Sequence, residues 1–128
     1  MSVYILVHKS KFEEAKEASK YISDILNKMF PDEPRYYRNG LYITMSNDIC
    51  IDFRYGDDHY KVSGVTPNYY YTDSLSSDVI NAIKIGACRV NGQRLEKLEH
   101  VIHIVSWYML MERQINNWLE LNGGIVNE

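Results

Sequence analysis

Apolar residues recur along this chain with two different periods, and each change of period marks an element. Val3-Tyr4-Ile5-Leu6-Val7 is a continuous apolar run, the pattern of a strand buried on both faces. Beyond it Phe12, Ala15, Ala18, Ile22, Ile25, Leu26 and Met29 fall at helical spacing and predict an amphipathic helix over 11–30. Ser10 stands where an N-cap would, with Glu13 at the capping-box spacing, and Pro31 and Pro34 stop the helix.

The period then shortens to two. Leu41 to Ser46 and Ile49 to Tyr55 are β-type runs that follow the Asn39-Gly40 turn signal and are joined by Asn47-Asp48, residues that suit a two-residue hairpin. Leu41, Ile43 and Met45 share one face with Ile49, Ile51 and Phe53, while Tyr42, Thr44, Asp52 and Arg54 point the other way. Residues 56–67 read as a polar connection and Asn68 to Thr72 as a further strand. Ser74 or Ser77 caps a helix that runs to about Gly86. Residues 94–121 form the longest helical segment. Its apolar stripe of Leu95, Leu98, Ile102, Val105 and Met109 spreads so far round the cylinder that the helix must be covered on more than one side.

These elements predict a single α+β (or α/β) domain over 1–128, in the order β-α-β-β-β-α-α. A mainly antiparallel sheet of about four strands is covered by two helices, and the long C-terminal helix makes a homodimer contact. At 128 residues, with 45% hydrophobic and 24% charged side chains, the chain has ordinary globular composition. No apolar stretch approaches a bilayer span and no secretory signal is visible, so a cytoplasmic protein is expected. A net charge of −3 argues against a nucleic-acid partner. Cys50 and Cys88 lack any paired spacing and are expected to be buried free thiols. Tyrosine is over-used, with 11 copies against three Phe and two Trp, and its amphipathic ring suits half-buried strands and binding surfaces.

The densest polar stretch runs from Asp52 to Lys61. Arg54 and Lys61 are suited to gripping a phosphate or a carboxylate, with Tyr55, Asp57 and His59 beside them. Tyr69 and Tyr71, two of three consecutive tyrosines, share a face on which a flat ligand could stack. The same stretch read as a metal site would use Asp52, Asp57, His59 and Asp73. His100 and His103 lie three apart on the long helix without the H-E-x-x-H pattern and read as packing histidines. His8-Lys9-Ser10-Lys11 occupies the place of a phosphate loop but lacks its glycines.

The residues Ile49 to Asp58, then Lys61-Val62-Ser63-Gly64, then Tyr69-Tyr70-Tyr71-Thr72-Asp73 resemble a segment of phage terminase large subunits and related helicase-like ATPases. On this resemblance, which covers about a fifth of the chain, Asp73 matches an acidic position that helps to hold magnesium. The phosphate loop is missing and Ser74 stands where a catalytic Glu belongs, which argues against ATP hydrolysis. In style and composition the chain is similar to small accessory proteins of phages and prophages.

Two functions follow as expectations. The first is a non-catalytic phage or mobile-element protein, without a cofactor, that binds a nucleotide-like small molecule or a host protein and counteracts host defence. Its ligand site would comprise Arg54, Tyr55, Asp57, His59, Lys61, Tyr69, Tyr71 and Asp73 around one shared hollow. The alternative is a phosphoesterase or nuclease that depends on Mg or Mn.

Overall fold

The structure is a computed structural model and describes residues 3–46, 49–88 and 96–121. The elements are β1 (Val3–Lys9), α1 (Phe12–Met29), β2 (Pro34–Tyr37), β3 (Tyr42–Met45), β4 (Ile49–Tyr55), a 3-10 turn (His59–Lys61), β5 (Tyr69–Thr72), α2 (Ser77–Gly86) and α3 (Glu96–Leu121). The chain divides into two compact units, Met1–Arg94 and Leu95–Glu128. The second contains α3, close to the helix that periodicity predicts over 94–121. No helix among the described residues is long and apolar enough to cross a membrane.

The five strands of the first unit form one sheet in the order β2-β3-β4-β1-β5. β1 lies at its heart and runs parallel to both β4 and β5, whereas β2-β3 and β3-β4 pair antiparallel. This corrects the expectation of about four mainly antiparallel strands. A strand apolar on both faces belongs between parallel neighbours that are covered on both sides, and the Val3–Val7 run is such a strand. The additional strand is β2. Pro34 reads as a stop signal in sequence, but proline is tolerated at the first residue of an edge strand, and that is where it stands.

Alternation distributes the side chains to two faces. Leu6 packs with Val62, Val65, Val79 and Ile83, so the even residues of β1 meet α2 and the connection that precedes it. The odd residues Ile5 and Val7 face the other way. In register with them stand Ile51 and Phe53 of β4, and Ile43 pairs with Ile51. This is the face on which α1 packs, presenting the buried Ala15, Ala18, Ile22 and Leu26. The predicted helix over 11–30 is therefore present, but its start differs. Lys11 is the N-cap and gives no side-chain cap, because Ser10 turns its N–H and hydroxyl to Asp73 instead. The cap of α2 is Ser76, one residue from the predicted Ser77. The cysteines are free, but Cys50 is half-buried and Cys88 exposed, because Cys88 lies past the end of α2. The predicted turn at Asn47-Asp48 lies outside the described residues.

Gly86 closes α2 against the connection before β5. A Cβ there would lie 1.9 Å from the Val65 carbonyl oxygen, a backbone atom that cannot swing aside. Gly86→Ala should therefore destabilise the first unit by about 1–3 kcal/mol, as overpacking does. Urea denaturation measures this, and an unchanged midpoint would show that α2 does not sit against Val65.

Candidate functional site

The sequence pattern sends Tyr42, Thr44, Asp52 and Arg54 to one face of the sheet, and the structure agrees. Asp52 is not a solvated side chain, however. It is 1% exposed in the middle of β4. A carboxylate taken out of water must be paired and hydrogen-bonded, and three elements supply the donors. Oδ1 accepts from the Arg38 guanidinium. Oδ2 accepts from the Tyr4 hydroxyl of β1 and from Nε of Arg54 at 2.8 Å. Arg54 also donates through a terminal nitrogen to the Lys61 carbonyl at 2.9 Å.

Two guanidiniums against one carboxylate leave one positive charge uncompensated in this group. Both still reach solvent, with side chains 52% exposed for Arg38 and 32% for Arg54. Around them Tyr4, Tyr37, Tyr42 and Thr44 complete a cleft of about 620 Å³, a size suited to a small-molecule ligand. The Arg38 guanidinium carbon lies 4.9 Å from the centre of the Tyr42 ring, and the Tyr37 and Tyr42 rings are 6.3 Å apart. The cleft thus joins a basic floor to aromatic walls.

Arg38 reaches the cleft at a conformational cost. It opens the turn between β2 and β3 with φ +52°, followed by Asn39 at +57°, and the Gly40 N–H closes the turn onto the Tyr37 carbonyl at 3.1 Å. Positive φ at both central positions is the type I′ pattern, which favours Asn and Gly. A long side chain there costs about 1–2 kcal/mol. Such outliers concentrate at functional sites.

The electrostatics follow from this burial. Desolvation and then the hydrogen bond to the Asp52 carboxylate push the Tyr4 pKa well above the usual tyrosine range. Tyr42 is pushed up to about 12, first by its side-chain hydrogen bond with Cys50 and then by burial. Burial works against the Arg54 charge, but Asp52 outweighs it and leaves that pKa raised.

The sequence-predicted site residues do not share one hollow. Arg54, Tyr55 and Lys61 do come together, lining a smaller hollow of about 260 Å³ with Arg38, Leu41 and Phe53. Asp57 is exposed in the bend after β4. His59 lines a separate hollow beside α2 with Ser63, Asp78 and Asn81. Tyr69 and Tyr71 pair with Ile5 and Val7, which puts them on the α1 face, opposite Arg54, with β1 between their strand and β4. Asp73 accepts from the Ser10 N–H at 2.8 Å and the Ser10 hydroxyl at 3.0 Å. The carboxylates of the metal alternative are likewise separated. Asp52 is held by two arginines and Asp73 by Ser10, and no group of three ligating side chains suited to a metal occurs among the described residues.

Tyr4, Tyr37, Arg38, Tyr42 and Thr44 are the cleft residues that belong to neither predicted site. Arg38 carried a signal, since it directly precedes the Asn39-Gly40 turn and so projects from a hairpin end beside the polar face. Tyr4 carried none, because its partner Asp52 lies 48 residues away.

A second polar chain ties the carboxyl ends of the parallel strands. His8 is fully buried on β1. Its Nε2 lies 2.7 Å from the Gly56 carbonyl and its Nδ1 2.8 Å from the Thr72 hydroxyl. A carbonyl only accepts, so Nε2 carries a proton, and the Thr72 hydroxyl is within hydrogen-bond distance of Nδ1. Thr72 in turn accepts from the Ser74 N–H at 3.1 Å. Gly56 has φ +112°, which a side chain would strain, and a Cβ there would meet Lys61 Cγ at 3.2 Å. The bare glycine lets the Lys61 stem lie across it.

No protein family, curated protein or solved structure matches this chain.

Asp52→Asn keeps the shape of the side chain and removes its charge. Breaking an enclosed ion pair costs about 3–5 kcal/mol, and solvent access of both arginines lowers the expected loss to about 2 kcal/mol. Chemical denaturation measures it, and a loss below about 0.5 kcal/mol would show that Asp52 does not anchor the cleft. Alkaline titration checks the tyrosines. Tyr42 ionises near pH 12 when folded and near its ordinary 10.0 when unfolded, so its contribution to stability is complete below pH 10 and is lost as the pH rises to 12. Tyrosinate absorbance should show a late-ionising fraction that shrinks in Tyr42→Phe. Ionisation of every tyrosine together near pH 10 would contradict the hydrogen bond to Cys50.

Proposed function

We propose that this chain is a non-catalytic binding protein for a nucleotide-like small molecule, one that joins an anionic group to a flat ring. The observation that carries this reading is the buried Asp52, which holds Arg38 and Arg54 side by side on the floor of an aromatic-walled cleft. An arginine fork matches the planar geometry of phosphate and carboxylate oxygens, and tyrosine rings give a stacking surface to a base. The carboxylate itself is engaged by three donors, so this group binds and orients a ligand without offering a base. Similarity in style and composition to small accessory proteins of phages and prophages supports a role for a phage or mobile element, one that counteracts host defence by withholding such a ligand. Pairing of two copies through α3 remains a separate proposal, and the cleft does not depend on it because all its lining residues belong to 1–94.

The test is a thermal-shift and calorimetric survey of common ribonucleotides on the native protein and on Arg38→Asn. Asparagine suits the positive φ at position 38, so the variant keeps the turn while losing the cation. At least one nucleotide near one hundred times its Kd should raise the native melting temperature by several degrees. Arg38→Asn should remain folded and bind about tenfold more weakly or worse. Should no nucleotide bind at millimolar concentration, or should the variant bind as well as the native protein, the proposal is wrong.

A further inference from the structure

The basic floor of the cleft extends further than its aromatic walls. Arg38 and Arg54 line both the larger cleft and the smaller hollow, so the two compartments share these residues. The smaller compartment adds Lys61, an exposed residue whose side chain makes no ion pair among the described residues. Its placement is built rather than incidental. Its stem lies across Gly56, where a Cβ would crowd Cγ at 3.2 Å, and its carbonyl is held by Arg54 at 2.9 Å. The Tyr55 wall of the same compartment is fixed in turn by an edge contact with the Phe12 ring, with centroids 4.9 Å apart. Three cations against the single Asp52 carboxylate leave two positive charges unmatched along this floor. A monoanion held by the arginines would leave Lys61 without a partner.

We infer that the ligand carries two consecutive phosphoryl groups: a nucleoside diphosphate moiety with its base among the tyrosines, one phosphoryl on Arg38 and Arg54, and the next reaching Lys61. The inference rests on the reading of the cleft as a nucleotide site and names the substrate class of that site. The association is non-covalent, so no bond is made or broken.

The probes are the mono- and diphosphates of adenosine, guanosine, cytidine and uridine, titrated calorimetrically into the native protein and into Lys61→Gln, which keeps a long stem over Gly56. For the base that binds, the diphosphate should bind about tenfold more tightly than the monophosphate, the scale of one further charge-assisted contact. Lys61→Gln, with an unchanged melting temperature as its folding control, should remove most of that preference. A native preference below about threefold, or one that Lys61→Gln leaves intact, overturns the diphosphate assignment while monophosphate binding upholds the cleft. Failure of every probe to bind overturns both.

Discussion

Everything distinctive about the cleft side of this sheet follows from one buried charge. A carboxylate at the centre of a strand, 1% exposed, is tolerated only if donors surround it. Asp52 draws those donors from β1, from the β2–β3 turn and from two residues along its own strand. The result is structural and electrostatic together. Three elements are tied at one point, and two guanidiniums that would otherwise repel one another and wander in solvent are held in fixed positions. The surface becomes basic at that spot within a chain whose net charge is −3.

The arginines are not equivalent. Arg54 lies on the sheet itself and is fastened twice, to Asp52 and to the Lys61 carbonyl. Arg38 is more exposed, comes from a turn held at positive φ and donates to Asp52 through a terminal guanidinium nitrogen. A strained turn residue persists where surrounding interactions over-determine it, and here the ion pair with Asp52 and the contact with the Tyr42 ring do so. The parallel half of the sheet is organised differently. There His8, Thr72 and Gly56 satisfy one another, and Asp73 closes onto Ser10. That end uses its polar groups to join strands, whereas the β3–β4 face leaves donors directed into a cleft.

Sequence periodicity made one half of this legible. Alternation in the two β-type runs placed Tyr42, Thr44, Asp52 and Arg54 on a common face, and helical spacing located α1 within a residue of each end. What alternation could not supply was adjacency. It states which way a side chain points, not which strand lies next to it, so β1 could not be read as the parallel neighbour of both β4 and β5. The stacking tyrosines were misjudged for the same reason. Tyr69 and Tyr71 share a face as Tyr37 and Tyr42 do, but the insertion of β1 and the register with Ile5 and Val7 carry the first pair to the opposite face. The burial of Asp52 was hidden because a charged residue at an alternating position ordinarily marks the solvated side of a sheet. Only the long-range meeting with Tyr4 and Arg38 reveals that this side is enclosed.

The geometry also explains how such a face can accept an anion without unfolding its own anchor. If a ligand had to capture the only partners of Asp52, binding would bare a buried charge and would be opposed by its desolvation. Here the demands are divided. Oδ2 keeps Tyr4 and Arg54, and Arg38 meets Oδ1 through one terminal nitrogen of a group with five N–H donors. The Arg38 side chain is 52% exposed and lines the cleft. An anion can therefore engage Arg38 from the cleft while Asp52 stays satisfied from below. The carboxylate sets the position of the cation and, by neutralising only part of the cluster, leaves the field that attracts a ligand in place.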